Sequence, residues 1–412
     1  MSFDDAGTRA ERWKTDRFAA CREVFELWNE QCGAQLQMDA FVAIDECLYS
    51  CRNRIAFKQY NPSKPAKYGI LFKCLNEVKY PFTHRSEVFA GRPVDTENAP
   101  YYFKTTEQLT LRLVNKTREK QDMKGQNLTT DNLYTSVSLA NKLLDKGITS
   151  IGTLRSNRLG IPAEIKKTDT SKINSTEVIW EAEKQKLTIT SYCVKTSTKS
   201  KKIINILSSM PPLLAVTKDE KKKPAIFKLY DFTKGGTDIS DQRADKYTTA
   251  NKQRKWTSKP LNYMLDTTRV NSQTIHSLNN GIEVRSRDSF EFGWSLVKEL
   301  VLPHMKIRSE KPGLQRDLKL RMQTFLDLPV PDSADLPELF DSKTTNRRRC
   351  AECLSEIQGK NMKKNKEKLA RMESQCQMCK KCICKKHTIN ACQDCIAMIR
   401  SEEQSMPDEE LG

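Results

Sequence analysis

No run of about 18 apolar residues occurs in this 412-residue sequence, so hydropathy gives no membrane-spanning helix. Its opening residues, Met1-Ser2-Phe3-Asp4-Asp5, lack the basic and apolar regions of a secretory signal. The expectation is a soluble, intracellular protein with no membrane partner. Acidic residues are in deficit: 52 Asp and Glu stand against 70 Lys and Arg, a net charge of +18. That balance favours a polyanionic partner such as nucleic acid. There are 14 cysteines, and without a secretory signal they read as reduced thiols or metal ligands rather than disulfides. The length suits about two or three domains.

Hydrophobic spacing lays out the elements. Between Glu11 and Gln31, Trp13, Phe18, Cys21, Val24, Phe25 and Trp28 recur three or four apart, predicting one amphipathic helix with those side chains in the core. Phe41-Val42-Ala43-Ile44 reads as a short buried strand and Lys67 to Leu75 as another. Leu109 to Val114 closes a helix, and Asn127 to Thr130 reads as a strand. Ser136 to Lys146 reads as a helix, with Gly147 just past its C-cap. Ile148 to Leu154 is a further strand. From Asn157 to Lys223, Thr and Ser rise and alternation appears, which predicts a β-rich insertion. Helices are expected after Gly235-Gly236, over Leu261 to Leu278, and over Phe290 to Leu302. In the last, Trp294, Leu296, Val297, Leu300 and Val301 take the apolar positions. Pro329, Pro331 and Pro337 mark a linker.

Asp45 and Asp131 each close a predicted strand, and Asp238 stands at a helix start, with Asp241 three residues on and so on the same helix face. The first three are 86 and 107 residues apart, and an α/β fold can bring them to one site. Like charges about 4 Å apart repel by roughly 4 kcal/mol at an effective dielectric of about 20, so such a cluster needs divalent cations. Carboxylate oxygens with water suit Mg²⁺ or Mn²⁺. Two such ions serve phosphodiester chemistry by activating a water or 3′-hydroxyl and steadying the leaving oxygen. The other reading is turn and N-cap aspartates.

Motifs across nearly the whole chain resemble the piggyBac transposase family. Ala43-Ile44-Asp45-Glu46, Arg52-Asn53-Arg54, Tyr60 to Ile70 and Ala90-Gly91-Arg92 resemble its first catalytic block. Thr130 to Ser136, Gly152 to Arg158 and Ile161-Pro162 resemble the second. Lys234-Gly235-Gly236-Thr237-Asp238, Asp241-Gln242 and Arg254-Lys255-Trp256 resemble the third. The resemblance implies an RNase H-like core interrupted by a β-rich insertion domain. It implies Asp45, Asp131 and Asp238 as metal-holding catalytic acids, with Asp241 as a supporting acid. It also implies target-DNA contact by Arg155 and Arg158, and stacking of Trp256 on distorted DNA. The activity implied is cleavage beside TTAA, hairpin formation on transposon ends and joining to a TTAA target. Only 44 residues precede Asp45, where the family carries a long region, so residues 1–40 read as the remnant of a helical dimerisation and DNA-binding domain. The partners implied are double-stranded DNA and either a second copy or a full-length transposase.

Eight of the cysteines lie between Cys350 and Cys395. Cys350 with Cys353, Cys376 with Cys379, Cys384 with His387, and Cys392 with Cys395 form four ligand pairs, enough for two tetrahedral Zn²⁺ sites. A cross-braced pairing joins the first pair to the third and the second to the fourth, and Cys382 can exchange with Cys384. From Arg347 to Arg400 there are 14 basic and 5 acidic residues, and Arg347-Arg348-Arg349 suits phosphate binding or nuclear import. A RING-type ligase is the competing reading, but histidine is the sixth ligand here and not the fourth. The tail also resembles the cysteine-rich domain with which piggyBac transposases recognise transposon ends.

The expected architecture is therefore α/β. An RNase H-like core occupies 41–156 and 224–306, around a β-rich insertion at 157–223. A linker at 307–346, a zinc-binding domain at 347–400 and an acidic tail at 401–412 follow. The expected function is that of a nuclear, piggyBac-like, transposase-derived protein, and the alternative is a catalytically silent, zinc-stabilised DNA- or chromatin-binding protein.

Overall fold

The computed structural model describes residues 4–166, 173–181, 186–195, 201–218, 220, 222–311, 314–326, 343–349, 353 and 371–374. They fall into two compact units, 1–301 and 302–412. No helix among the described residues is long and apolar enough to cross a membrane.

The expected first helix is two helices, α1 (Arg9–Thr15) and α2 (Ala19–Gln35). The break falls at Asp16, whose side chain accepts a hydrogen bond from the Phe18 amide at 2.9 Å, the local bond by which aspartate competes with helix. The turn buries Phe18, Cys21 and Phe25 but leaves Trp13 41% exposed, so Trp13 is not the core residue its spacing suggests.

The main sheet is built from β1 (Phe41–Ser50), β2 (Gln59–Tyr60), β3 (Tyr68–Glu77) and β4 (Thr83–Val88), then β5 (Asn127–Thr130) and β6 (Thr149–Leu154). Between these lie α3 (Thr106–Arg118) and α4 (Val137–Leu144). Thr105 caps α3 by accepting from the Gln108 amide, and Ser136 caps α4 by accepting from the Leu139 amide. Gly147, with φ +75°, turns the chain out of α4 in the left-handed conformation that glycine adopts without penalty.

After the short α5 (Ala163–Lys166), the β-rich stretch supplies β7 (Thr176–Trp180), β8 (Thr188–Lys195) and β9 (Lys201–Ser208). These strands join the main sheet, because β9 pairs antiparallel with β6. The order is β2-β3-β1-β5-β6-β9-β8-β7, with β4 also on β3. β1 runs antiparallel to β3 and parallel to β5, and β6 is parallel to β5.

Then come α6 (Ala225–Thr233), α7 (Gly236–Lys246), α8 (Ser258–Asn279) and α9 (Ser289–Ser309), and beyond them α10 (Arg316–Phe325), β10 (Lys343–Arg349) and β11 (Arg371–Ser374). Helices cover both faces of the sheet. On one face Phe18, Phe25, Phe72 and Tyr263 form a core in which the rings of Phe72 and Tyr263 stack at 3.9 Å. On the other, Ile44, Leu75, Leu113, Leu128 and Leu143 pack together. Along α9, Trp294, Val297, Leu300 and Val301 are exposed.

Candidate active site

The parallel register of β1 and β5 pairs Ile44 with Thr130. The next residues are Asp45, on β1, and Asp131, just past the end of β5, so the register brings the two aspartates side by side on the same face. Asp45 Oδ1 accepts from the Glu46 amide at 2.7 Å, and Asp131 Oδ1 accepts from the Leu133 amide at 2.9 Å.

The turn that presents Asp131 is tightly made. The Thr135 hydroxyl donates to the Asp131 carbonyl at 2.7 Å and lies 2.8 Å from the Thr130 hydroxyl. Gly152 of β6 lies under this turn: a Cβ there would stand 2.2 Å from Thr135 Oγ1 and 2.6 Å from the Thr130 carbonyl oxygen. Only glycine fits such an approach.

The other acids come from α7. Its first residue, Gly236, lies against the end of β3, where a Cβ would meet the Glu77 carbonyl oxygen at 2.8 Å. Glycine lets the helix start on the sheet, and Asp238 and Asp241 then share the face turned toward β1. Asp241 hydrogen-bonds the thiol of Cys47, two residues along β1 from Asp45. Beneath α7 lies a cavity of about 580 Å³ lined by Cys47, Tyr49, Lys64, Asp241, Tyr263 and Asp266 among others.

The electrostatics are unbalanced. Burial pushes the Asp45 carboxyl up to about 6, with the charges of Asp131 and Asp238 adding to the effect. Burial pushes Asp241 up to about 7, again with Asp238 and Asp45 adding. Asp131 is raised by burial and by the charge of Glu46. The nearby cations only partly answer this. Lys64 donates to the Glu46 carbonyl at 2.9 Å and lowers both Asp45 and Asp241, while Lys73 is committed to the Glu46 carboxylate.

An all-oxygen donor set carrying excess negative charge fits a hard divalent cation. The Tyr134 hydroxyl points the same way: it is buried without a hydrogen-bond partner, within the field of Glu46, Asp45 and Asp131. Among the described residues, no three acidic, histidine or cysteine groups are drawn into a chelating cluster, so an ion here would retain much of its water.

Arg155 and Arg158, just past the end of β6, reach across to the turn beyond Asp131. Arg155 donates from Nε and Nη2 to Asn132 Oδ1 at 3.0 and 2.8 Å, and Arg158 donates to the Leu133 carbonyl. Trp256 is not brought to the acids. It is half-buried, 5.4 Å edge-on to Phe57 and 6.1 Å from Phe18, in the packing role of a core tryptophan. Of the eight expected zinc ligands, Cys353 is described, and Cys350, Cys376, Cys379, Cys384, His387, Cys392 and Cys395 lie outside the described residues. Lys64, Cys47 and Tyr134 escaped the residue-by-residue reading. Lys64 and Tyr134 fall inside the motifs named above without a role of their own, and Cys47 carries no sequence signal apart from its even spacing from Asp45.

Comparison with known proteins gives concordant matches. Residues 1–273 match the family described as Transposase IS4. The human PiggyBac transposable element-derived protein 3 is 22% identical over 278 residues, covering 63% of this chain and 44% of that protein. The human Chimeric ERCC6-PGBD3 protein is 22% identical over 278 residues, covering 63% of this chain and 25% of that protein. The chain thus spans less than half the length of these curated relatives. A cryo-EM structure of a piggyBac transposase synaptic complex with hairpin DNA is similar with a TM-score of 0.67 and 28% identity, over 95% of this chain and 77% of that one.

Proposed function

The chain belongs to the piggyBac type of the Transposase IS4 family, and on that premise we propose that Asp45, Asp131 and Asp238, supported by Asp241, form a centre for divalent-metal-dependent DNA cleavage and strand transfer. The observation that carries the proposal is the meeting of acids from three distant chain segments on one face of the sheet, with Asp45, Asp131 and Asp241 made more basic by burial and by neighbouring charge. The strand order β4-β3-β1-β5-β6, antiparallel up to β1 and parallel beyond it, supports an RNase H-like reading of residues 41–156 and 224–306. In that reading 157–223 is an insertion carried on the sheet.

Mg²⁺ or Mn²⁺, when bound, would activate a water or a 3′-hydroxyl of the DNA as nucleophile and stabilise the leaving oxygen. The protein's share is positional. β1 and β5 hold two carboxylates in fixed register, α7 carries the third and fourth, and the Gly152 and Gly236 contacts hold both frames in place. Arg155 and Arg158, on the rim beside Asp131, suit the DNA backbone. The similar solved structure contains hairpin DNA, which supports DNA as partner, and the proposal takes TTAA-bordered ends as the substrate. The proposal extends to two Zn²⁺ ions in a DNA-reading tail at 347–400, to assembly with a second copy or a full-length transposase, and to action in the nucleus.

The test incubates zinc-loaded protein and Mg²⁺ or Mn²⁺ with DNA carrying transposon ends, comparing wild type with Asp131→Ala. Nicks and hairpins that vanish in Asp131→Ala support the enzyme. DNA binding without products, in a folded protein, overturns it in favour of a catalytically silent DNA-binding protein.

A further inference from the structure

The acid row continues past Asp131. The register pairing Thr130 with Gly152 brings Thr153 of β6 alongside Asp131, on the face that carries Asp45. The hydroxyl of Tyr230, from α6, lies 3.4 Å from the Thr153 hydroxyl. Settled O–H···O bonds are about 2.7 to 2.8 Å long, so this contact leaves both hydroxyls free to turn to a better partner. Tyr230 is 9% exposed, and a buried phenol with only a long contact is an under-satisfied group. Its hydroxyl also feels the charges of Asp131 and Asp45, which places it at their edge.

The chemistry of the row shows what such a pair can supply. Ionised carboxylates only accept hydrogen bonds, so a phosphodiester held against them needs donors from elsewhere. Lys64 stands near Asp45 and Asp241. Thr153 and Tyr230 follow Asp131, and between them they need at most one O–H for each other. We propose that the Thr153 and Tyr230 hydroxyls form the neutral donor pair that binds a non-bridging oxygen of the DNA phosphodiester against the aspartate row.

This inference rests on the acid row being the cation and DNA-cleavage centre. On that footing Tyr230 touches substrate, and its ring, packed with Ile151, Ile226 and Phe227, fixes where the hydroxyl points. Cation and phosphate would then share one site, and each would tighten the other by an equal factor.

The experiment measures Mn²⁺ binding to the full chain by the paramagnetic resonance of free Mn²⁺, with and without a short nicked duplex, corrected for the duplex's own uptake. In wild type the duplex tightens Mn²⁺ binding about tenfold. In Tyr230→Phe, which keeps the packed ring, Mn²⁺ binding without DNA stays within about twofold of wild type and the DNA-induced tightening is lost. Thr153→Val shifts in the same direction. The inference is overturned if Tyr230→Phe keeps the full tightening, or if wild type shows none. It is equally overturned if Tyr230→Phe weakens Mn²⁺ binding without DNA, since the pair would then be building the acid row and not binding phosphate. Asp131→Asn tests the underlying reading separately. If Mn²⁺ binding survives that change, the cation centre itself is wrong, whatever Tyr230 does.

Discussion

Two clusters of charge, one buried and one half-buried, occupy the same sheet and are built on opposite principles. Arg22 of α2, 6% exposed, donates to Asp16 at 2.7 Å and to Glu87 at 2.8 Å, and reaches Glu26 at 3.4 Å. Glu87 also takes Arg112 at 3.0 Å, Glu26 takes Arg85 at 3.2 Å, and the Arg22 guanidinium lies 3.9 Å from the ring centre of Tyr101. Three acids there face three arginines. In the Asp45 row, Lys64 lies near Asp45 and Asp241, and these two are still pushed up to about 6 and about 7. The balanced cluster docks α2 on β4 and asks for nothing more. The unbalanced one leaves like charges close together, and perturbed carboxylates of this kind cluster at functional sites.

The strongest way to break the comparison is to unbalance the balanced cluster. Arg22→Met strands Asp16 and leaves Glu87 to Arg112 alone, and unfolding in urea should show a loss of about 3 to 5 kcal/mol, with Mn²⁺ affinity of the folded fraction unchanged.

Gly152→Ala should cost about 1 to 3 kcal/mol by overpacking. Because the clash falls on Thr130 and Thr135, which frame Asp131, Mn²⁺ affinity measured calorimetrically should fall with it.

Removing charge from the acid row should act with the opposite sign. The folded chain holds protons on Asp45 and Asp241 that the unfolded chain releases near the ordinary value of 3.8. Stability of the metal-free protein should therefore fall as pH rises from about 4 to about 7 and level off above. Asp241→Asn should flatten that slope and, after allowing for solvent screening, gain about 1 kcal/mol at pH 8. Thermal unfolding across pH reads both, and a loss of stability in Asp241→Asn would refute the account of the row as like charges held close together.

The smallest expected effect lies on the rim. Arg155→Ala, at an exposed side chain, should move stability by no more than about 0.5 kcal/mol. The dependence of DNA affinity on salt should nonetheless lose about one charge.

Much of this layout was legible beforehand. The strand over Asn127 to Thr130 has the bounds expected of it, Asp131 follows it directly, and Asp238 and Asp241 share a helix face, because alternation and three-residue spacing are local. The missed features involve competition or partners. Asp16 breaks the first helix through its own side-chain bond, leaving Trp13 outside the core. The strands between Asn157 and Lys223 find their partner in β6, whose free edge no local pattern announces. Trp294 and Val301 repeat at helical spacing, yet are exposed, because periodicity says which face is apolar and not what covers it.

The sequence by itself determined the elements, the acids at their ends, the glycines that permit close approach and the family, since each depends on residue identity over a few positions. Tertiary structure alone decided that Asp45, Asp131 and Asp238 meet, that Trp256 packs beside Phe57, and that Thr153 and Tyr230 stand next in the row. These depend on strand register and on which helix lies over which face. Register comes from the pairing of residues far apart in the chain, and burial then turns ordinary carboxylates into a site whose charge is unsatisfied.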